Sequence, residues 1–332
     1  MSEQHEARFD RRSFLTVVGA TAAAGWSSVR FPKPGVASHR LPNEGRSPVA
    51  ILKAKSYTDE LAQKILAGIR ECGLDVRGKR VLLKPNLVEW DQSTSINTDV
   101  AVVSAALEAF RQLGAGDVRI GEGPGHRRDT YDLAHEARYR TEVEKFDGLF
   151  VDLNRDDVSP VKKFADEGEF YFPNSVLRAD LIVSLAKMKT HHWAGATLSM
   201  KNFFGVVPGS VYGWPKNTLH KIGIDRSIVE LRRTFPNTFA IVDGIVGMEG
   251  NGPIQGTRKQ VGALVMGSDL PAVDATCCRI MGIDPAKVEY LQMASDVLGV
   301  TDESRIEQRG ENIASLRTNF ELIQQYSHLR LV

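Results

Sequence analysis

RVLLKPN, residues 80–86, opens the reading of this chain. Val81, Leu82 and Leu83 form a short apolar run after the Gly78 turn, and Lys84, Pro85 and Asn86 follow at once. Such a run reads as a buried strand, and proline ends it. Downstream, residues 100–113 repeat apolar positions at helical spacing, with Thr98 or Asp99 as the cap and Gly114 as the stop. Residues 118–121 then read as another strand. Upstream, 49–52 is a strand, and 59–71 carries Leu61, Ile65, Leu66 and Ile69, a helical spacing. Further on, 149–153, 181–185, 239–242 and 264–267 read as strands. Residues 226–234 read as a helix, with Pro236 just after it. Residues 271–281 and 285–298 read as helices opened by Pro271 and Pro285.

Strands alternating with helices predict an α/β fold: a mostly parallel, Rossmann-like sheet covered by helices on both faces. Residues 122–180 are more polar and irregular and are expected to form an insertion. Residues 188–224 are rich in Gly, Trp, His and Lys, and a stretch that long without regular pattern is usually functional. The expected organisation is a signal over 1–37 and a single α/β domain over 38–332, with its core at 49–300.

The amino terminus carries Asp10-Arg11-Arg12-Ser13-Phe14-Leu15-Thr16 before the apolar stretch 15–26. A basic segment, a short apolar segment and small residues beyond it make an export signal. Paired arginines followed by Phe-Leu resemble a twin-arginine signal, which is read by the twin-arginine export machinery and exports folded proteins. Gly35, Val36 and Ala37 place cleavage after Ala37. The apolar stretch is shorter than the roughly 20 residues that span a bilayer, so no stable membrane span is expected after cleavage. The expected location is periplasmic or otherwise extracytoplasmic.

The first 37 residues hold five Arg or Lys and three Asp or Glu, so removing them takes the net charge from +1 to −1. A balanced chain gives no electrostatic case for nucleic acid or a lipid surface. Apolar content of 42% and charged content of 25% are those of a globular protein. There are three cysteines, Cys72, Cys277 and Cys278. No Cys-x-x-Cys spacing occurs, so no iron–sulfur cluster is encoded. Cys277 and Cys278 lie in an apolar run and read as buried core. A redox pair is the other reading, and it requires exposed thiols.

Polar residues follow several strand runs: Lys84-Pro85-Asn86, Gly121-Glu122-Gly123-Pro124-Gly125, the group Lys187, Lys189, His191 and His192, Asp243-Gly244, and Ser268-Asp269. In open α/β sheets ligands bind outside the carboxyl ends of the strands, and these five clusters are expected at that edge. Two lysines, two histidines and Trp193 within seven residues are costly to place without a purpose. With Lys201 and Asn202 they suit a carboxylate, a phosphate or an enolate-like oxyanion. A lysine crowded by other cations has a lowered pKa and can act as base or nucleophile. Lys187, Lys189, His191 and Lys84 are therefore the candidate catalytic groups. Asn86, Glu122, Gly123, Lys201 and Asn202 are the candidate substrate contacts. Asp243, Glu249 and Asp274 could hold a divalent cation. Adjacent histidines on a strand face opposite ways, which argues against both serving one ion.

Six ordered motifs resemble the domain-of-unknown-function family 362: VLLKPNLV at 81–88, GEGPG at 121–125, AKMKTH at 186–191, LSMKNFFG at 198–205, VDGIVGMEGNGP at 242–253 and DLPAVDATCCRIMGIDP at 269–285. Many members of that family carry a ferredoxin-like segment of clustered cysteines, which this sequence lacks. The resemblance implies an α/β fold and a shared polar site, and it names no substrate. Two functions fit the residues: an exported enzyme acting on a small anion, and a non-catalytic binding protein or cofactor carrier using the same crevice.

Overall fold

The run after Gly78 is one of eleven strands among the described residues, which are 46–126 and 129–332 of a computed structural model. In chain order the strands are β1 (Ser47–Lys53), β2 (Arg80–Pro85), β3 (Asp117–Glu122), β4 (Phe150–Asp152), β5 (Val158–Val161), β6 (Phe170–Pro173), β7 (Leu181–His191), β8 (Gly195–Thr197), β9 (Thr238–Asn251), β10 (Gln255–Gly267) and β11 (Ile306–Gly310). The longer helices are α1 (Leu61–Glu71), α2 (Val100–Gln112), α3 (Ile224–Thr234) and α4 (Leu270–Ile280). The signal expected over residues 1–37 lies outside the described residues. No helix among them is long and apolar enough to cross a membrane.

The main sheet runs β11-β1-β10-β9-β7-β2-β3-β4, with β8 paired to β7. The block β9-β7-β2-β3-β4 is parallel throughout, as alternating strands and helices require. Within the eight-strand path, β10 alone runs against the rest. It pairs antiparallel with both β9 and β1.

Apolar side chains alternate across the sheet and feed two cores, one on each face. On β7, Leu181, Val183 and Leu185 join the core under α1 and α2. Ile182, Ala186 and Met188 join the core under α3 and α4. Helices thus cover both faces. The α1 positions Leu61, Ile65, Leu66 and Ile69 are all buried, and each fully buried aliphatic side chain stabilises by about 1.5–3 kcal/mol. Asp99 caps α2 by accepting from Ala101 N at 2.9 Å, and Gly114 follows with φ +81°, where a glycine loses nothing.

Three features differ from the sequence reading. The strand read at 181–185 continues to His191, so Lys187 and Lys189 are strand residues rather than loop residues. The strands read at 239–242 and 264–267 are parts of one long hairpin, β9 and β10. The helix read over 285–298 is a 3-10 turn, Pro285–Lys287, and a short helix, Glu289–Ala294. Val288 breaks it by taking an extended backbone while staying buried. The segment 122–180 holds short helices and the β5–β6 hairpin, packed by Phe164, Phe170 and Phe172.

Cys277 and Cys278 are fully buried in α4 and free. Burial raises both thiol pKa values, with Asp274 adding to the effect. The thiolate is the reactive form, so both are expected to react with a maleimide only after unfolding. Labelling of the folded chain at either position would contradict this placement.

Candidate functional site

At the carboxyl ends of β2 and β3 the chain buries an ion pair. Lys84 Nζ donates to Glu122 Oε2 at 2.5 Å, to Asn202 Oδ1 at 2.9 Å and to the Pro85 carbonyl at 2.8 Å. Glu122 also accepts from Leu87 N at 3.1 Å and Gly123 N at 2.8 Å. Asn202 Nδ2 returns to the Lys84 carbonyl and to Ser184 Oγ, both at 3.0 Å. Both charges are 1% exposed. Gly205 lies so close that a Cβ there would run into Lys84 and Glu122, which explains a glycine at the end of LSMKNFFG. Asn86 joins through Nδ2 to Asn202 Oδ1 at 3.3 Å, while its own Oδ1 is buried with no partner.

A second buried pair forms between β7 and β9. Lys187 Nζ donates to Asp243 Oδ2 at 2.7 Å, Tyr57 OH at 2.9 Å and the Val246 carbonyl at 2.9 Å. Asp243 accepts in addition from Tyr57 OH and from the backbone N–H groups of Asp99 and Ile245. Burial and the neighbouring Asp243 push the Tyr57 phenol well above its usual range. Lys187 already has three partners, so its role here is to fix β7 against β9. Tyr57 had no signal in the sequence, because nothing in the loop after β1 marks it as reaching across to Asp243.

Three further lysines form no ion pair among the described residues. Lys189 is fully buried and donates only to carbonyls, Ile96 O at 2.8 Å and Pro253 O at 3.4 Å. Lys201 is half-buried, with Nζ 3.4 Å from the centre of the Phe204 ring, a cation–π contact. Lys216 is 1% exposed and donates to the carbonyls of Gly123 and Phe204. Burial drives the Lys189 ammonium well below its ordinary range, and the charges on Lys187, Lys201 and Lys84 push the same way. Burial lowers Lys201 to about 7, with Lys84 adding to the fall. It lowers Lys216 to about 7 despite the counterbalancing Glu122. Lys216 was missed by sequence reasoning, since Trp214-Pro215-Lys216 reads as an ordinary loop.

His191 is buried and its Nδ1 accepts from Trp193 N at 3.0 Å and Ala194 N at 3.3 Å. That assigns Nδ1 as the unprotonated nitrogen. Burial first, then Lys201 and His192, lower its pKa well below the usual value. His192 Nδ1 lies 2.8 Å from the Gly252 carbonyl, so the two adjacent histidines use separate partners. Trp193 is 55% exposed and meets the rings of His192 and His220 edge-on.

The structure does not bring Asp243, Glu249 and Asp274 together as a cation site. Asp243 is engaged by Lys187. Glu249 pairs with Lys259 at 3.0 Å and accepts from Glu321 N. Asp274 accepts from Ser199 N and Oγ, Met200 N and Tyr290 OH. Burial raises the Asp274 carboxyl to about 7 against those hydrogen bonds. Among the described residues no group of three or more His, Cys, Asp or Glu is placed to hold a metal. Ser268-Asp269 also leaves the expected edge. Because β10 runs backwards, its end pairs with the start of β9, Gly267 opposite Ala240. There Asp269 accepts from Ser47 Oγ at 2.7 Å and Ala272 N at 3.1 Å. Four of the five strand-end clusters therefore share one edge.

Two surface depressions lie away from the unpaired lysines. One of about 500 Å³ sits between α1 and α2 and touches the lysine region only through Tyr57. The other, about 380 Å³, lies beside β4 at Tyr131 and Asp152. Lys189 and Lys216 are buried, and Lys201 is half-buried.

An α/β chain with this buried lysine and histidine edge matches the family described as Domain of unknown function (DUF362) over residues 81–279, and the chain belongs to it. It is 28% identical to a thylakoid-associated protein of Synechocystis sp. over 267 residues, covering 76% of this chain and 79% of that protein. Among solved structures it is similar to the lactate racemase apoprotein from Thermoanaerobacterium thermosaccharolyticum, at 16% identity and a TM-score of 0.46, over 77% of this chain. A protein from Thermotoga maritima matches at 14% identity and a TM-score of 0.40, over 68% of this chain. The chain spans 60% and 59% of the length of those two structures.

Proposed function

We propose that this chain is an exported enzyme that binds a small carboxylate or phosphate at the lysine edge and moves a proton there. One observation carries the reading: Lys201 lies near enough to act on the charges of both Lys189 and Lys216, and all three have only carbonyls and an aromatic ring as partners. Burying a cation without a counter-ion costs several kcal/mol, and an anionic ligand offsets that cost. Lys189 suits the proton-moving role. Burial pushes its ammonium well below the ordinary lysine range, so it gives up its proton more readily than a free lysine. His191, with Nδ1 occupied by two backbone donors, is held as the neutral ring and presents Nε2–H as a hydrogen-bond donor. Lys84 and Glu122 hold Asn202 and the Gly123 loop in place. Export through the twin-arginine route is supported by Arg11-Arg12 and the apolar stretch after them.

The test is Lys189→Met in the full chain. Turnover of whichever small carboxylate or phosphate the wild type converts is expected to fall by about 10²-fold or more, with the melting temperature at or above wild type. A large loss of stability with unchanged kinetics would make Lys189 a structural residue. Replacing both Arg11 and Arg12 with lysine is expected to leave the protein in the cytoplasm, read by fractionation. A carrier that holds its ligand tightly is the second reading, favoured by the burial of Lys189 and Lys216 away from both depressions. It predicts an organic anion copurifying with the chain and no turnover.

A further inference from the structure

We infer that the site takes a doubly charged anion of the phosphate class, free or as a monoester, and that Lys216 is one of three lysines anchoring it. The inference rests on the anion-site reading above and goes further by counting charges. Five lysines lie here and two carboxylates pair with them directly, Glu122 on Lys84 and Asp243 on Lys187, while Asp152 and Asp225 act on Lys216 and Lys201 without forming an ion pair. Both paired carboxylates are fully engaged. Three lysines remain without a directly paired carboxylate, more N–H donors than one monocarboxylate engages and a match for a phosphate, whose charge favours the protonated form of each.

The chemistry of the donors points the same way. All three are lysines, and no guanidinium is among the charges they feel. Planar carboxylates are usually gripped by the two-pronged arginine fork, whereas an ammonium is a compact point charge suited to a phosphate approached from several sides. The three arrive from different elements: Lys189 from β7, Lys201 from the 3-10 turn Lys201–Val206, and Lys216 from the loop before the helix Asn217–Ile222. Lys216 is held at φ 68°, in the left-handed region that few non-glycine residues occupy. Such a conformation persists where the surroundings impose it, and it is commonest at functional sites. Here it turns the side chain inward, onto the carbonyl of Gly123 in the GEGPG loop. Neutral carbonyls are the contacts an anion can replace without breaking an ion pair.

The experiment is isothermal titration of the full chain at pH 7 with inorganic phosphate, methyl phosphate and acetate. Phosphate is expected to bind at least about tenfold more tightly than acetate, the difference of one charge-assisted hydrogen bond. Methyl phosphate binding alongside it assigns a monoester, and inorganic phosphate alone assigns the free ion. Lys216→Met is expected to weaken phosphate about tenfold or more and to leave acetate within about twofold. If that variant does not fold, Lys201→Met carries the same comparison. Equal affinity for acetate and phosphate in the wild type overturns the dianion inference while the anion site stands. Binding of neither overturns both. Wild-type phosphate affinity in folded Lys216→Met removes Lys216 from the anchor.

Discussion

Glu122→Gln is expected to destabilise the chain by about 3–5 kcal/mol, the cost of leaving one member of a buried ion pair without its partner. Lys84 would then be a fully buried ammonium with only Asn202 Oδ1 and the Pro85 carbonyl as acceptors, in a region already crowded by Lys189, Lys201 and Lys216. Glutamine preserves the volume and still offers one oxygen to Leu87 N or Gly123 N, so the loss reports charge rather than packing. The companion experiment is the double change Lys84→Met with Glu122→Leu. Removing both charges together is expected to recover most of the loss, because well-packed apolar replacements of buried pairs are often neutral or stabilising. Urea midpoints of the three proteins decide it. A single variant within about 1 kcal/mol of wild type would mean that Lys84 loses its proton readily and the pair is not held as drawn.

The second large effect is a rise in stability with pH above neutrality. Lys201 and Lys216 titrate at about 7 in the folded chain against 10.5 for an ordinary lysine. A lysine depressed on folding binds more protons unfolded than folded throughout that interval. Stability therefore increases as pH rises from about 7 toward 10.5, at up to about 1.4 kcal/mol per pH unit for each group. Asp274, raised to about 7, acts only below this window. The groups facing Lys216 are Glu122, Asp152, Lys84 and Lys201, and those facing Lys201 are Lys84 and Asp225. Urea midpoints at pH 7.5 and 9.5 should differ by the equivalent of a few kcal/mol, with the higher pH more stable. Lys216→Met should flatten the slope. A stability that falls over this interval in the wild type would contradict the burial of unpaired lysines.

Much of the fold was legible because its signals are local. Short apolar runs bounded by Gly78, Pro85 and Gly114 mark β2, β3 and α2 without knowledge of the neighbours. The polar residues at the ends of β2, β3 and β7 follow from the same pattern. The rest depends on pairing between distant segments. The reversal of β10 cannot be read from residues 264–267, whose composition suits a strand of either direction, and it carries Asp269 to the far edge of the sheet. The extension of β7 to His191 is hidden because lysines and histidines break the apolar run. They are tolerated in that strand only because Asp243, Tyr57 and distant carbonyls receive them. Asp243 and Asp274 resembled cation ligands by type, but their partners, Lys187 and Ser199 with Met200, lie 56, 75 and 74 residues away. Lys216 needed the left-handed turn after Pro215 to point inward, and no periodicity announces that.

The central claim is that the unpaired lysines form an anion site. The most direct measurement is the melting temperature of the full chain against rising phosphate at constant ionic strength, beside Lys189→Met. A ligand at about 100 times its dissociation constant adds about 2.7 kcal/mol, or roughly 4 °C for a chain of this size. That rise is predicted for the wild type and its absence for Lys189→Met. A flat wild-type curve across phosphate and small carboxylates, or the same rise in both proteins, would contradict the claim.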